Sequence, residues 1–221
     1  MNIAKRNLKE NKIIDAAEGI FSSVGFTNAK MEDIAGAARI TKVTLYSYFK
    51  SKENLYLAIT YRAYNLLEET YHEKTEALEQ EDGLALALGL MEAFMTFCEQ
   101  NFLYAETFLR YYALVRAQAE GGNAKLTEGV IESSYFKKLQ AVQERPLLTV
   151  IKAVDQGKED GSIVNQLSST FLTYHAWTMV IGYTKMAMAT GTAQDTMYNL
   201  DLQKMKQYTL RIVRDSLQRI V

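Results

Sequence analysis

Apolar residues recur at helical spacing along most of the chain. Within residues 8–24 they follow the i, i+3, i+4, i+7 pattern, for example at Ile13, Ala17 and Ile20, which is typical of an amphipathic helix with one face towards a core. Pro146 is the single proline among 221 residues, and proline is the residue that most disrupts a helix. No alternating strand pattern competes. The sequence therefore predicts an all-α fold.

Glycine and polar residues mark the ends of the predicted helices. We expect breaks at Gly25, 38–41, 49–52, 81–83, 121–123, 157–162 and 190–195. They leave about nine helices, roughly at residues 8–24, 31–38, 42–48, 52–79, 84–99, 104–118, 124–158, 168–190 and 200–221. The pair within 84–118 is too hydrophobic for a surface and is assigned to the core of a bundle. Pro146 removes a backbone donor from the helix at 124–158 and should kink or split it.

The net charge of −1 hides an uneven distribution. Residues 1–52 contain nine Lys and Arg against five acidic residues, a net charge of +4, which leaves −5 for the rest of the chain. This asymmetry indicates a polyanionic partner at the N-terminal end. Chance clustering on a solvated face would give the same count, so charge alone leaves both interpretations open.

Cysteine usage and hydropathy predict a cytoplasmic protein. Cys98 is the single cysteine and lies in an apolar stretch, which is typical of a buried thiol in a reducing compartment. No apolar run of about 18 residues could span a bilayer. The N-terminus begins with Lys5, Arg6 and Lys9 rather than with a short apolar signal segment.

Residues 31–48 predict two short helices joined by a tight turn, the spacing of a helix-turn-helix. A small shared core is available from Ile34, Ala35, Ala38, Ile40, Val43 and Leu45. The second helix directs outward the donors Lys42, Thr44, Tyr46, Ser47 and Tyr48. Such donors suit phosphate oxygens and base edges in a major groove, although an ordinary helical hairpin would show the same apolar pattern.

Residues 25–55 are GFTNAKMEDIAGAARITKVTLYSYFKSKENL, which closely resembles the DNA-binding signature of TetR-family regulators. The GF pair ends the first helix, the EDIA run lies in the second, and TKVTLYSYF followed by KSKENL forms the third. The resemblance implies a helix-turn-helix domain over residues 1–51 and a regulatory domain for ligand binding and dimerisation over residues 52–221. It further implies a transcriptional regulator, by family default a repressor, that binds a (pseudo)palindromic operator.

The same resemblance implies roles for single residues. Thr44, Tyr46, Tyr48 and Lys52 would hold phosphates, while Lys42 and Val43 would face bases. The full predicted set of DNA-binding residues is Lys30, Thr41, Lys42, Val43, Thr44, Tyr46, Ser47, Tyr48 and Lys52.

Two positions depart from the family pattern. Arg39 stands in the turn where the family usually has glycine, so we expect a non-glycine residue in a left-handed conformation. Ala29 and Lys30 replace the pair of threonines that usually opens the second helix, and we expect Asn28 to act as the N-cap instead.

A single helix-turn-helix covers half an operator, so specific binding calls for a two-fold dimer. The helix at 168–190 has almost no polar face, and the resemblance implies that the last two helices form a four-helix bundle with their mates. The predicted dimer interface is Met179, Tyr183, Met186, Met205, Tyr208, Ile212 and Leu217. Packing within one chain is the alternative for this stripe.

Bulky residues in the larger portion could line the ligand cavity that TetR-type regulators share. The candidates are Tyr64, Phe94, Phe97, Phe108, Tyr111, Tyr112, Tyr174 and Trp177. Ordinary core packing is the alternative for each of them. Such a cavity would take a small apolar or aromatic effector.

An enzyme finds little support in the sequence. His72 and His175 have no cysteine, histidine or carboxylate at metal-ligand spacing. No glycine-rich phosphate loop or nucleophile elbow occurs. We therefore expect no catalytic residues, no metal and no cofactor. A scaffold that only dimerises is disfavoured by the basic N-terminal segment.

Overall fold

The computed structural model describes residues 3–119, 133–190 and 200–220, without the side chains of residue 3 and of several residues between 112 and 119. These ranges form ten α-helices and contain no strand, which confirms the predicted all-α class. The helices are α1 Ile3–Asn28, α2 Met31–Ala37, α3 Lys42–Tyr48, α4 Lys52–Ala77, α5 Gly83–Gln100, α6 Phe102–Ala119, α7 Ser134–Val142, α8 Arg145–Asp160, α9 Ser169–Thr190 and α10 Leu202–Leu217. The predicted breaks at 121–123 and beyond residue 190, and the side chain of Tyr112, lie outside the described residues.

Glycine and proline act where the sequence places them. Gly25 interrupts α1 with φ of 74° and ψ of 162°, a conformation that costs glycine little. The chain nevertheless turns helical again as far as Asn28, so Gly25 marks a kink rather than the end of the helix. Pro146 lies in the first turn of α8, where its missing N–H has no helical acceptor to lose. The predicted split at Pro146 is therefore confirmed, with α7 ending at Val142.

Packing divides the chain into two compact units, residues 1–64 with 103–142 and residues 65–102 with 143–221. The predicted domain boundary after residue 51 follows a different division and stays a prediction. In the first unit, α1, α2, α3 and the start of α4 share one apolar core. Its most completely buried members are Ile13, Ala17, Ile34, Leu45, Leu55 and Ile59.

In the second unit α5 packs against α8, α9 and α10. The approach of α5 to α8 requires glycine, because a Cβ on Gly83 would lie 2.0 Å from the backbone nitrogen of Gly157. The Gly83 N–H donates to Asp160 at 2.8 Å. Hydrogen bonds from Ser162 and then from Gly83 lower the pKa of the Asp160 carboxyl. Cys98 is buried in α5 as predicted, and burial raises the pKa of its thiol.

A polar cluster ties α9 and α10 to α5 within the second unit. The buried Lys206 ammonium donates to Thr96 Oγ1 at 2.7 Å and to Glu99 Oε2 at 3.0 Å. The Tyr183 hydroxyl donates to the other oxygen of Glu99, and burial followed by that contact raises the pKa of Tyr183. An ionised pair removed from water persists because each charge has a close partner.

Candidate nucleic-acid interface

Helix α3 has a capped first turn, one buried face and one exposed face. The Thr41 hydroxyl accepts the N–H of Thr44 at 3.2 Å and thereby caps the first turn. Leu45 is fully buried beneath the helix. On the opposite face Val43 has 82% of its surface exposed, so it lies outside the small core in which the sequence placed it, and Tyr46 is also exposed.

The remaining predicted α3 residues lie at the same surface. Lys42 and Ser47 are exposed, and Thr44 and Tyr48 are half-buried. Lys42 forms an ion pair with Glu32 of α2, and the hydrogen bond from Lys42 lowers the pKa of that carboxyl. Lysine has three donors, so this exposed pair leaves Lys42 able to turn towards an anion.

The turn before α3 adopts the strained form that the sequence predicts. Arg39 has φ of 53° and is the non-glycine residue with positive φ among the described residues. Its N–H donates to Gly36 O, and the N–H of Ile40 donates to Ala35 O, both at 3.0 Å. These bonds close α2 and lead directly to the cap of α3.

The predicted cap of α2 is wrong. Lys30 occupies the N-cap position with extended backbone and no capping side-chain bond, and it is exposed. Asn28 belongs to the end of α1, where its amide donates to Val24 O at 3.1 Å. Because Gly25 only kinks the chain, Asn28 stays helical and its side chain turns back along α1 instead of forward to α2.

Lys52 is engaged inside the domain. Its ammonium donates to Thr27 O at 3.1 Å and to Ala29 O at 3.0 Å, and it lies 4.6 Å from the ring centroid of Phe26. These contacts fix the connection from α1 to α2. A phosphate contact by Lys52 stays a prediction, and it would have to share this ammonium.

Polar contacts that the sequence did not predict hold α1 in place. Arg62 of α4 donates to Asp15 at 2.7 Å and to Glu18 at 3.0 Å, and Tyr104 donates to Glu18 at 3.1 Å. Burial raises the pKa of Glu18, against the lowering effect of Arg62. No local pattern could have revealed these partners, since they are separated by more than forty residues in sequence.

Helix α7 also reaches the helix-turn-helix. The Tyr135 hydroxyl donates to Glu10 of α1 at 2.6 Å, and its ring stacks at 6.2 Å on Phe49, which ends α3. Burial raises the pKa of Tyr135. The helix-turn-helix is therefore held in place by several helices of its own unit.

Residues 13–59 match the family model described as bacterial regulatory proteins of the tetR family. The match contains the whole of α2 and α3 and the turn at Arg39. Over this segment the chain is similar to the tetR family. This family consists of transcriptional regulators rather than enzymes.

Among curated relatives, the HTH-type transcriptional regulator RutR of Escherichia coli strain K12 is 43% identical to this chain over 51 residues. That segment covers 23% of this chain and 24% of RutR, so the chain matches about a quarter of the relative's length.

Solved structures resemble the chain over nearly its full length. FadR from Bacillus subtilis in complex with stearoyl-CoA has a TM-score of 0.62 at 15% identity, covering 93% of this chain and 97% of FadR. The ketosteroid transcriptional regulator KstR2 of Mycobacterium tuberculosis has a TM-score of 0.65 at 17% identity, covering 95% of each chain. At these identities the likeness shows the fold alone.

The predicted dimer residues fall into two groups. Tyr208, Met186 and Ile212 are exposed, and Met179 and Met205 are partly exposed. Leu217 retains 1% of its surface and Tyr183 4%. These last two are packed within their own chain, and a role for either in a dimer stays a prediction.

The predicted pocket residues are divided between the two units. In the first, Tyr64 lies 4.8 Å from Phe108 between ring centroids, and Tyr111 is fully buried. In the second, Phe97 is buried and Phe94 lies 4.5 Å from Trp177. Tyr174 has 55% of its surface exposed on α9, and its place in a pocket stays a prediction.

Membrane-spanning helices and clusters of metal ligands are absent from the described residues. None of the helices there is long and apolar enough to cross a membrane. Nor do three His, Cys, Asp or Glu side chains gather as metal ligands in those ranges.

Proposed function

We propose that this chain is a ligand-responsive transcriptional repressor that binds a (pseudo)palindromic operator as a homodimer. The outward face of α3 carries the proposal. It presents Lys42, Val43 and Tyr46 to solvent while Leu45 fixes the helix from below. A cytoplasmic location accompanies this role, since the operator lies there.

Each outward residue then has a chemical role. Val43 offers an apolar contact for a thymine methyl, and Lys42 reaches a base edge or phosphate. The hydroxyls of Thr44, Tyr46 and Ser47 bind phosphate oxygens, with Lys30, Thr41 and Tyr48 at the margins. Phosphate contacts fix the register on the duplex, and the two base-facing residues supply sequence preference.

The exposed face of α9 supports the dimer. Phe171, Tyr174 and Met186 lie on it, together with Gly182, where an added Cβ would meet nothing within 4 Å. Aromatic side chains beside a small residue suit close packing against a second helix. The exposed Tyr208 of α10 extends the same kind of surface.

The second unit supports an apolar or aromatic effector. Phe94 and Trp177 pack together there, and Thr173 lies one helical turn before Trp177. Thr173 is fully buried, yet its hydroxyl has no hydrogen-bond partner in the part of the chain described. A buried hydroxyl without a partner is costly, and a polar atom of a bound molecule would satisfy it.

DNA binding is tested by fluorescence anisotropy with a duplex from upstream of the gene for this chain and a random duplex of equal length. We expect tighter binding to the upstream duplex, and a loss of at least about tenfold in Lys42→Gln/Tyr46→Phe, whose fold should be intact because both positions are exposed. Lys137→Gln, at another exposed position, is the control. A wild-type chain that binds neither duplex refutes the function.

The dimer is tested with Gly182→Leu, which adds bulk only where the chain itself leaves space. Sedimentation should show a folded monomer that has lost operator affinity. Gly19→Leu is the matched control, because a Cβ at Gly19 also meets nothing within 4 Å. A Gly182→Leu chain that remains dimeric would remove α9 from the interface.

The effector is tested by adding a long-chain acyl-CoA or a steroid to the DNA complex. A compound acts only if it binds the free dimer more tightly than the DNA-bound dimer. We expect one of these probes to release DNA and Thr173→Val to weaken that release. Equal binding to both forms would contradict the mechanism.

A further inference from the structure

The first unit contains a cationic groove distinct from the outward face of α3. It lies between the N-terminal half of α1 and the turn that joins α2 to α3, with a volume of about 960 Å³. Lys5, Lys9 and Lys12 line it from α1, and Arg39 lines it from the turn. The three lysines are spaced by three or four residues, so they share one face of the helix.

The positive charge of this groove is not neutralised by its own lining. Within the described ranges, no carboxylate pairs with any of the four cations. Asp15 is the acidic residue among those that line the groove, and its Oδ1 already accepts from Arg62 at 2.7 Å. Like charges on one helix face repel, so the arrangement favours an anionic occupant.

Arg39 adds its charge at a conformational cost. Its φ of 53° belongs to the left-handed region that glycine adopts freely and other residues rarely do. Strained residues of this kind persist where the surrounding structure holds them in place, and they cluster at binding and active sites. In the groove, the side chain of Arg39 supplies a guanidinium, the group best suited to phosphate.

The groove adjoins α3. Arg39 precedes Thr41, the N-cap of α3, by two residues. Arg6, the neighbour of Lys5, lies 5.8 Å from the ring centroid of Tyr48 at the other end of α3. A duplex held by α3 therefore passes close to the first turns of α1.

We propose that the groove of Lys5, Lys9, Lys12 and Arg39 holds the sugar-phosphate backbone of duplex DNA beside the bases that α3 contacts. This proposal rests on the proposed function and widens its footprint. The cations bind phosphates without reading sequence, and Leu8, 61% exposed in the same groove, packs against deoxyribose. The contact raises affinity for any duplex and steepens its salt dependence.

The test measures the affinity of the full chain for a random duplex of about 30 bp between about 50 and 200 mM salt. Each lost phosphate contact reduces the slope of log K against log salt by about 0.9. Lys5→Gln/Lys9→Gln should therefore lower the slope by about two and the affinity at 0.1 M salt by about fiftyfold. Lys137→Gln/Lys152→Gln makes the same charge change at exposed positions outside the groove and should leave the slope unchanged.

Arg39 separates a binding role from a structural one. Arg39→Gly relieves the left-handed backbone and should raise the Tm by about 2–4 °C, while the affinity for DNA falls about five- to tenfold at 0.1 M salt. Arg39→Lys should keep most of the affinity. A residue with only a structural role would not move the two measurements in opposite directions.

The outcomes distinguish the two proposals. If the wild-type chain binds DNA and the groove variants keep its salt slope, the groove proposal is wrong and the proposed function stands. If the wild-type chain binds no duplex, both fail. If the groove variants lose binding of poly-glutamate but retain the salt slope, an acidic protein surface occupies the groove and the DNA assignment is overturned.

Discussion

The outward faces of α3 and α9 differ in what they offer a partner. Around Val43, α3 exposes amines and hydroxyls, whereas α9 exposes Phe171, Tyr174 and Met186. A charged, hydrated partner such as DNA is bound by the first kind of surface, and a protein mate by the second. The two exposed surfaces therefore suit partners of opposite chemistry.

The buried contacts that hold α3 and α9 in place also differ. Helix α3 is held by the apolar Leu45, while α9 and α10 are held partly by the Lys206, Glu99 and Tyr183 cluster. Apolar packing tolerates small shifts at a cost in cavity volume, but a buried ion pair depends on its geometry. The register of α9 and α10 against α5 is therefore specified more sharply than that of α3 against its core.

The largest expected difference in the free energy of unfolding is between substitutions on the buried and the exposed sides of α3. Leu45→Ala removes a fully buried side chain and should lower the free energy of unfolding by about 3 kcal/mol. Val43→Ala should change it by less than about 0.5 kcal/mol, because Val43 is exposed, and should instead reduce preference for the operator. Urea unfolding and anisotropy measure the two quantities. Similar stability losses in both variants would contradict the orientation of α3.

A smaller effect is expected at the anchor of α10. Lys206→Met leaves the Glu99 carboxylate without its cation and should lower the free energy of unfolding by about 2 kcal/mol, less than for a fully buried pair, since Glu99 retains 21% of its side-chain surface. Lys42→Met breaks the exposed pair with Glu32 and should cost less than about 0.5 kcal/mol. Equal losses of unfolding free energy in the two variants would mean that the Lys206 cluster does not stabilise the packing of α10 on α5.

The residues of α3 were predictable because their determinants are local. The bounds of α3 and the left-handed turn at Arg39 follow from neighbouring residues, and the structure confirms both. Lys52 was predicted only as a phosphate ligand, because its bonds to Thr27 O and Ala29 O depend on a loop far away in sequence.

Helices α9 and α10 were harder to predict for a related reason. Residues 169–190 are apolar on nearly every side, so the sequence does not say which face packs inward. Tyr183 and Leu217 were therefore assigned to the interface, although packing within the chain takes both. The role of Tyr183 depends on Glu99, a partner that only the folded chain supplies.

The smallest effects are opposite pH dependences of two carboxyls, one in each unit. Burial raises the pKa of Glu18 above 4.5, so wild-type stability falls as the pH rises from about 4.5 through the folded value. Glu18→Gln should therefore gain stability relative to the wild type over that interval. Hydrogen bonds from Ser162 and Gly83 lower the pKa of Asp160 below 3.8. The stability that ionised Asp160 contributes is present above that pH and is lost on acidification. Asp160→Asn should therefore become less stable relative to the wild type as the pH rises.

Urea unfolding of both variants and the wild type at intervals from about pH 3 to pH 7 measures these slopes. The expected result is two differences of opposite sign, that for Asp160→Asn developing at the lower pH. Slopes of the same sign would contradict the raised pKa of Glu18. They would mean that the lowering effect of Arg62 and Tyr104 on that pKa exceeds the raising effect of burial. In that case α1 would be tied to α4 by a net favourable ion pair, and acidification would loosen the helix-turn-helix.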